Sequence, residues 1–296
     1  MTGWLVTGAG GRLARELTAL LPTDTTTALT REELDLTDAR AVDDALAELR
    51  PSVVANCASW TDVDGAEEHE DAALDVNGLA VSRLAAGCAR TGARLLHVST
   101  DYVFSGLDAE GLPYDEDAVP DPRTAYGRGK LAGERGVLTA LPDNGVVVRT
   151  AWLYGAHGRS FVSTMAARAL SDATVKVVTD QYGQPTWTRD VAERLLVLGS
   201  GPARPGIHHA TASGSTSRYE LAREIYRLLG RDPALVSPVR GADLGCAAVR
   251  PAWSVLGHRR WALEGMSPLP EWRGALREAL PAVTASPAFG SALCAS

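Results

Sequence analysis

The sequence contains no long hydrophobic run, no basic cluster and no closely spaced cysteines. No stretch reaches the roughly 20 apolar residues that a membrane-spanning helix needs, so we expect no transmembrane segment. The formal net charge is −7, and the lysines and arginines do not form runs. This charge pattern argues against a nucleic-acid partner.

The four cysteines are scattered along the chain, at Cys57, Cys88, Cys246 and Cys294. None forms a CxxC pair or stands near a histidine at metal-ligand spacing, which argues against a disulfide framework or a zinc site. The N-terminal residues enter the apolar segment "WLVTGAG" without a basic region or a cleavable apolar segment. We therefore expect a protein of the reducing cytoplasm that is not secreted.

Short apolar runs alternate with helix-period segments over the first half of the chain. The runs "WLVTG", "SVVANCA", "ARLLHVST" and "NGVVVRT" have the composition of buried strands, and a helix is predicted from Leu74 to Ala89. Such alternation implies parallel strands joined by crossover helices. The sequence therefore predicts an α/β fold, a Rossmann-type doubly wound parallel sheet with a smaller C-terminal substrate-binding lobe.

The alternation becomes less regular beyond Thr150, where Pro and Gly are frequent between elements. We predict a dinucleotide-binding domain over residues 1–150, to which elements at about 185–210 return. Residues 151–281 are predicted to form mainly the substrate-binding lobe. The small-residue-rich segment 282–296 is predicted to be a disordered tail.

A glycine-rich turn, "TGAGGRLA", joins the first strand to the first helix. Gly8, Gly11 and Ala14 fit the pattern G-x-x-G-x-x-A. Such glycines let backbone N–H groups approach a pyrophosphate at the helix N-terminus, where the helix dipole favours an anion. The pattern also occurs in ordinary strand–helix turns, but its place at the start of a βαβαβ series predicts dinucleotide binding.

The end of the second strand, "ALTREELD", bears on which dinucleotide binds. NAD binders usually place an acidic side chain there to hold the ribose 2′-hydroxyl. Here Thr30 and Arg31 come first, and Arg31 suits a 2′-phosphate through a guanidinium–phosphate pair. NADPH is therefore favoured, with NADH as the alternative because Glu32 or Glu33 could still reach a ribose.

Two polar positions further along the chain suggest the chemistry. The fourth strand ends in Ser99 and Thr100, where a doubly wound sheet binds its ligands. Tyr126 and Lys130 stand at i and i+4, so they share a helix face. A nearby ammonium stabilises a phenolate, and we expect Lys130 to lower the pKa of Tyr126 from its ordinary value of roughly 10 and make it a general acid or base. Y-x-x-x-K occurs often by chance, but together with the glycine turn and Thr100 it predicts an NAD(P)-dependent oxidoreductase.

At this point the chain resembles a known family over nearly its whole length. The segments "GAGGRLA", "STDYVF", "YGRGKLAGE" and "DQYGQPT" are similar to those of the extended short-chain dehydrogenase/reductases, and more narrowly of the dTDP-4-dehydrorhamnose reductases. The resemblance implies NADPH-dependent reduction of the C4 ketone of a dTDP-4-keto-6-deoxyhexose, either dTDP-4-dehydrorhamnose or a related sugar, as in antibiotic biosynthesis. It implies a monomer or homodimer as the working unit.

Most of the candidate site residues follow from this resemblance, with Arg31 added from the strand end. The candidate catalytic residues are Thr100, Tyr126 and Lys130. The candidate cofactor-binding residues are Gly8, Gly11, Arg12, Leu13, Arg31, Asp35, Leu36, Ala58, Ser59, Tyr126 and Lys130. The candidate substrate-binding residues are Thr100, Asp101, Tyr102, Trp152, Gln184 and Arg250. Trp152 alternatively reads as a core aromatic. Asn77 either fixes the backbone of the site or is an ordinary polar residue on a helix face.

Two positions depart from the pattern of the family. Some members bind magnesium at a dimer interface through glutamates, and Glu16 matches one of these ligands. Arg189 stands where another glutamate would fall, so we predict no metal site and doubt that mode of dimerisation. Trp253 stands where asparagine is common, which suggests an altered sugar or nucleobase pocket.

Two alternative functions stay open on the sequence. The first is a nucleotide-sugar epimerase or 4,6-dehydratase on the same fold. The dehydratases need an Asp-Glu pair after the threonine, whereas here Tyr102 follows Asp101; an epimerase would retain NAD through its cycle. The second is a cofactor-binding regulatory subunit without catalysis, against which the intact Thr100, Tyr126 and Lys130 argue.

Overall fold

The structure, a computed structural model, describes residues 3–107, 111–202, 204–245, 247–286 and 289. The strands in chain order are β1 (Trp4–Thr7), β2 (Thr26–Leu29), β3 (Val53–Asn56), β4 (Arg94–Thr100), β5 (Gly145–Thr150), β6 (Leu153–Tyr154), β7 (Val175–Val178), β8 (Tyr182–Gly183), β9 (Thr186–Trp187), β10 (Gly206–His209), β11 (Ala212–Ser213), β12 (Thr216–Ser217), β13 (Val236–Val239) and β14 (Leu269–Glu271). The α-helices are α1 (Arg12–Leu20), α2 (Ala39–Leu49), α3 (Val63–Glu68), α4 (Glu70–Leu74), α5 (Ala80–Thr91), α6 (Ala125–Ala140), α7 (Phe161–Leu170), α8 (Thr188–Ser200), α9 (Arg218–Leu228), α10 (Arg259–Leu263) and α11 (Trp272–Thr284).

Six parallel strands form the central sheet in the spatial order β10-β5-β4-β3-β1-β2. The central strands β1 and β3 are buried along their whole length, as expected for apolar runs in a parallel sheet that is covered on both faces. The strand order reverses between β1 and β3, and such a switch point opens a crevice at the carboxyl ends of the strands. The predicted α/β Rossmann-type doubly wound sheet is confirmed.

Helices cover both faces of the central sheet. On one face, the leucines of α1 pack with Val191 and Leu195 of α8. On the other face, Leu46 of α2, Leu84 of α5 and Val137 of α6 form a second core with the sheet. The two cores fix the carboxyl ends of β1, β3, β4 and β5 side by side, where the sequence places its candidate site residues.

The region after β5 builds a further core, in which α7, α9 and α11 pack around Tyr154 and Trp272. Meanwhile β10 adds to the edge of the central sheet, and α8 packs against α1. We therefore propose the division predicted from the sequence, with residues 1–150 as one domain, 151–281 mainly as the substrate lobe, and about 185–210 returning to the sheet. No helix among the described residues is long and apolar enough to cross a membrane.

Two sequence-based boundaries differ from the structure. The helix predicted from Leu74 to Ala89 contains a π-helical turn over Asp75–Leu79 before α5 begins. The predicted tail 282–296 begins too early, because α11 continues to Thr284 and buries Val283 in the core. Most of the remaining tail lies outside the described residues.

Candidate active site

The glycine turn after β1 lies against the loop that follows β3. Gly8 has a φ of 69°, in the left-handed region, and a Cβ there would lie 2.7 Å from the backbone nitrogen of Ala58. Asn56 holds this junction together, because its side-chain oxygen accepts from the Thr7 hydroxyl at 2.7 Å and from the N–H of Ala58 at 3.1 Å. Gly8 thus lets the turn pack against this loop. A Cβ on Gly10 would meet nothing within 4 Å, so the turn leaves space at the N-terminus of α1, as a pyrophosphate site requires.

The π-helical turn positions Asn77 against the same loop. Its Oδ1 accepts from the Ser59 hydroxyl and from the N–H of Trp60, both at 2.9 Å, and its Nδ2 donates to the carbonyl of Trp60 at 3.0 Å. The side chain is fully buried. Asn77 therefore fixes the backbone of the site, which confirms the first of its two interpretations.

The candidate catalytic residues Thr100, Tyr126 and Lys130 meet at the carboxyl end of β4. The Thr100 hydroxyl donates to Oδ1 of Asp101 at 3.1 Å and accepts from the N–H of Tyr102 at 3.2 Å. Tyr126 lies in the first turn of α6, with its phenol close to the hydroxyls of Thr100 and Ser59. One turn later, the Lys130 ammonium donates to the carbonyl of Val98 at 2.6 Å.

The protonation of this group is set mainly by burial. Burial raises the pKa of the Tyr126 phenol far above its ordinary value, although hydrogen bonds with Thr100 and Ser59 oppose the shift. The sequence-based expectation was the opposite direction, because it weighed only the Lys130 charge and not the loss of water. Burial lowers the pKa of Lys130 to about 8, against the carboxylate of Glu134, which favours the ammonium. At neutral pH the phenol is therefore protonated, and Lys130 still carries its charge.

Asp101 is a buried carboxyl group beside the candidate catalytic threonine. It is 2% exposed, and its Oδ2 has no hydrogen-bond partner among the described residues. Burial raises the pKa of Asp101 to about 6, while hydrogen bonds with Ser254 and Thr100 oppose the shift. Asp101 thus titrates close to neutral pH and is linked to the reaction centre through the Thr100 hydroxyl.

A cleft of about 710 Å³ joins the glycine turn to this centre. It is lined by every candidate cofactor-binding residue: Gly8, Gly11, Arg12, Leu13, Arg31, Asp35, Leu36, Ala58, Ser59, Tyr126 and Lys130. Of the candidate substrate-binding residues, Thr100, Tyr102 and Trp152 also line it. Asp101, Gln184 and Arg250 do not belong to its lining.

Gln184 and Arg250 are engaged elsewhere. The Gln184 amide donates to the carbonyls of Ala212 and Leu256 and accepts from Leu256 N–H and the Thr211 hydroxyl, all within 3.1 Å. Arg250 forms an ion pair with Asp64 at 2.6 Å. Gln184 thus joins three segments, and Arg250 bridges the substrate lobe to α3, while Arg250 Nη1 has no partner among the described residues. Their contacts with the sugar stay a prediction.

Trp152 lies at the junction of the cleft and the substrate lobe. It adopts a φ of 47°, which is rare for a bulky residue, and its indole packs at the edge of the lobe core as well as lining the cleft. Gly183 makes room for the ring, since a Cβ there would lie 2.5 Å from Cε2 of the indole. Trp152 thus lies partly in the core of the substrate lobe, as a core aromatic would, and partly in the cleft, where it could contact a sugar.

The far end of the cleft contains the side chains that bear on cofactor choice. Glu33 accepts from the N–H of Thr30 at 2.8 Å and does not line the cleft, whereas Arg31 and Glu32 do. Arg31 makes only a loose ion pair with Asp35, at 3.6 Å, and its side chain is 73% exposed. A guanidinium this accessible is suited to a 2′-phosphate.

Sequence reasoning missed several polar residues around the site. Glu134 and Arg149 form a buried ion pair at 2.7 Å, and the Ser99 hydroxyl donates to the same carboxylate at 2.5 Å. Arg218 stacks on Trp152 with its guanidinium carbon 3.6 Å from the ring centroid, and Arg159 lies nearby at the start of α7. The family-like segment "KLAGE" that begins at Lys130 contains Glu134 and could have indicated its structural role. No local sequence pattern distinguishes Arg149, Arg159 or Arg218 from other arginines.

Arg189, which stands where a family metal ligand would be a glutamate, lies on α8. Arg189 pairs with Glu193 at 2.9 Å, and Glu16 lies 3.8 Å from the His157 ring. No group of three or more potential His, Cys, Asp or Glu ligands gathers at one point in the part of the chain that the structure describes. The absence of a metal, like the mode of dimerisation, stays a prediction.

Comparison with known proteins agrees with this geometry. The family profile described as RmlD substrate binding domain matches residues 1–285. The chain is 53% identical over 286 residues to a dTDP-4-dehydrorhamnose reductase of Streptomyces griseus, covering 95% of this chain and 93% of that relative. It is 46% identical to a dTDP-4-keto-6-deoxy-D-glucose reductase of Streptomyces niveus, covering 95% and 98%. A crystal structure of a dTDP-4-dehydrorhamnose reductase from Bacillus anthracis in complex with NADP superposes with a TM-score of 0.90 at 33% identity, covering 95% and 99%.

Proposed function

The chain belongs to the dTDP-4-dehydrorhamnose reductase family, and from this premise we propose that it reduces the C4 ketone of a dTDP-4-keto-6-deoxyhexose with NADPH. The observation that carries the proposal is the convergence of Thr100, Tyr126 and Lys130 in one cleft with the glycine turn. The substrate is dTDP-4-dehydrorhamnose or a related deoxysugar, since the relatives carry names of both kinds.

The residues at the glycine turn fit a dinucleotide. A Cβ on Gly10 would meet nothing within 4 Å, so the turn is open to a pyrophosphate above the N-terminus of α1, and the exposed Arg31 lies at the adenosine end. When bound, the nicotinamide supplies the hydride that a ketone reduction needs. Ser59, Tyr126 and Lys130 line the part of the cleft near the reaction centre and would hold the nicotinamide ribose there.

The chain itself supplies the proton and the orientation. Because burial keeps the Tyr126 phenol protonated, its hydroxyl is a proton donor to the ketone oxygen as negative charge develops there. The Thr100 hydroxyl, which donates its one proton to Asp101 here, can donate it to the same oxygen by turning away from Asp101, while the N–H of Tyr102 continues to hold its oxygen. The nearby Lys130 ammonium stabilises the phenolate that remains after proton transfer.

The dehydratase alternative fails at the position after Asp101. A second acid is needed there to eliminate water, but Tyr102 occupies it and packs edge-on against the Tyr126 ring at a centroid distance of 5.7 Å. We also propose the cytoplasm as its location, supported by the free thiols of Cys57 and Cys88. Monomer or homodimer stays the proposed working unit.

The experiment incubates the purified protein with NADPH and a panel of dTDP-4-keto-6-deoxy sugars. We expect one NADPH consumed for each sugar reduced, and the product's C4 configuration identifies the sugar series. Tyr126→Phe should bind NADPH as the parent protein does but lose about 10²- to 10⁴-fold in kcat. Parent-like turnover by Tyr126→Phe, or sugar conversion without net NADPH consumption, would contradict the proposal, and the second outcome would indicate an epimerase.

A further inference from the structure

A second, smaller cavity of about 200 Å³ adjoins the reaction cleft. Its described lining residues are Arg12, Trp152, Leu153, Tyr154, Arg159, Ser160, Phe161, Val162, Arg218 and Leu221. Arg12, Trp152 and Arg218 line the reaction cleft as well, so the two spaces share a wall. At roughly 30 Å³ per water molecule, the cavity has room for about seven waters, which suits a polar group rather than an isolated solvent site.

This cavity has a strongly cationic lining. Three of its lining residues are arginines, and none of the described lining residues is acidic. Within the described ranges, Arg12, Arg159 and Arg218 form no ion pair with a carboxylate. Burial lowers the pKa of Arg218 to about 10, while Tyr102 and Asp101 favour its charge from a distance. A guanidinium is a strong base, so three positive charges collect in one place without a counter-charge among the described lining residues.

Two of the three guanidinium groups, those of Arg12 and Arg218, are held by the surrounding structure. Arg12 donates from its Nη1 to the carbonyl of Arg159 at 2.7 Å. Arg218 stacks over Trp152, with its guanidinium carbon 3.6 Å from the ring centroid, and lies 4.9 Å from the centroid of Phe161. Stacking uses the face of a guanidinium and leaves the N–H groups at its edge free to bind an anion.

The start of α7 adds backbone donors to the same wall. Ser160 caps this ten-residue helix, and the capping box occupies the N–H groups of Ser160 and Ser163. Phe161 and Val162, which line the cavity, belong to the first turn, where N–H groups have no partner within the helix. The stacked Arg218, the neighbouring arginines and the positive end of a helix dipole together are suited to phosphate oxygens.

A ketone reduction on a nucleotide sugar requires two diphosphates to bind at the same time, one in the cofactor and one in the substrate. The glycine turn is suited to the first. We propose that Arg159 and Arg218, in the arginine-lined cavity beside Arg12, bind the second, the diphosphate of the dTDP-sugar. This inference rests on the proposed function. It assigns binding roles to Arg159 and Arg218, with Trp152 between the diphosphate and the reaction centre.

The test compares Arg159→Gln and Arg218→Gln with Arg40→Gln as the matched control. Arg159 is exposed, so its replacement does not threaten the fold, and Arg218→Lys tests whether charge alone suffices beside Trp152. Arg40 lies on α2, outside both cavities, and its side chain is 92% exposed. Calorimetry measures the Kd of dTDP, thymidine and NADPH for each folded variant.

We expect the glutamine variants to bind dTDP about tenfold or more weakly, while thymidine and NADPH bind within about twofold of the parent affinity. The preference of the parent protein for dTDP over thymidine should therefore shrink in both. Unchanged dTDP affinity in both variants would overturn the inference. Weaker NADPH binding with unchanged dTDP binding would also overturn it, because it would assign the cavity to the cofactor's phosphates.

The outcome is separable from that of the proposed function, because the binding assays need no turnover. A parent protein that reduces the sugar, with variants that bind dTDP normally, would reject only the diphosphate site. A parent protein that binds dTDP through these arginines without reducing any dTDP-4-keto sugar would reject only the proposed reaction.

Discussion

Glu134 and Arg149 form a two-point ion pair inside the protein, with Arg149 Nε 2.9 Å from Oε1 and Nη2 2.7 Å from Oε2. Both side chains are 1% exposed. The pair joins α6, which contains Tyr126 and Lys130, to the end of β5. Because Ser99 donates to the same carboxylate, the pair also fixes the strand residue next to Thr100.

Replacing one member of this pair should be costly. Glu134→Gln leaves a buried guanidinium without its counter-charge, and we expect the free energy of unfolding to fall by about 3–5 kcal/mol, measured by urea denaturation. Glu70→Gln removes a solvent-exposed pair with Arg128 and should cost less than about 1 kcal/mol. Equal losses in the two variants would mean that the interior pair does not fix α6 against β5.

The raised pKa of Asp101 predicts a stability that depends on pH. A carboxyl group whose pKa is about 6 in the folded protein, against an ordinary 3.8, binds more protons when folded than when unfolded within that window. Stability should therefore fall as pH rises from about 4 to 6, by at most about 1.4 kcal/mol per pH unit from this group. Asp101→Asn should flatten the curve in ligand-free unfolding measurements, whereas the exposed Asp44→Asn should leave it unchanged. A slope unaffected by Asp101→Asn would assign the effect to another group.

Gly183 should control the position of the Trp152 ring. An added methyl group in Gly183→Ala would lie 2.5 Å from the indole and must displace it from the shared wall of the two cavities. We expect kcat/KM for the dTDP-sugar to fall roughly 10- to 100-fold, with NADPH affinity retained. Gly274→Ala, at a position with nothing within 4 Å, is the control and should behave as the parent protein. A parent-like kcat/KM in Gly183→Ala would show that Trp152 does not position the sugar.

Arg31 should decide between the two nicotinamide cofactors. Its exposed guanidinium has only the loose contact with Asp35 to lose when it binds a 2′-phosphate. Arg31→Ala is therefore expected to weaken NADPH binding about tenfold or more and to leave NADH binding unchanged, as measured by fluorescence titration. A parallel loss for both cofactors would indicate a general role in adenosine binding instead.

The sequence predicts most of the cofactor half of the site for a physical reason. Apolar strand runs and the glycine turn are local patterns, and a doubly wound sheet brings the ends of its strands to one edge, so Gly8, Ser59 and Thr100 meet without further information. Tyr126 and Lys130 follow from helical spacing. The pKa values of Tyr126 and Lys130 cannot be predicted from that spacing, because burial by the complete fold removes water from both groups and dominates the shifts.

The substrate half is less predictable because its contacts join distant segments. Gln184 stands in a motif that indicates sugar binding, yet its amide oxygen accepts hydrogen bonds from Thr211 and Leu256, which are 27 and 72 residues away in the sequence. The strands of this lobe that pair around it are mostly two residues long, which is too short for any periodicity to register. Arg159 and Arg218 become neighbours only when α7 and α9 pack together.

Because of the π-helical turn at Asp75–Leu79, the geometry of the site depends on the number of residues between β3 and α5 as well as on their identity. A helix advances about 100° per residue, so a one-residue deletion that converts this turn to a regular α-helix would rotate Asn77 away from Ser59 and Trp60 relative to α5. Val76 is the residue of this turn that lines the cleft, so deletion of Asp75, Gly78 or Leu79 removes no cleft residue. It would nonetheless release the loop after β3 on which the reaction centre depends. In redesigning or grafting this scaffold, the spacing between β3 and α5 must therefore be conserved as strictly as Tyr126 itself.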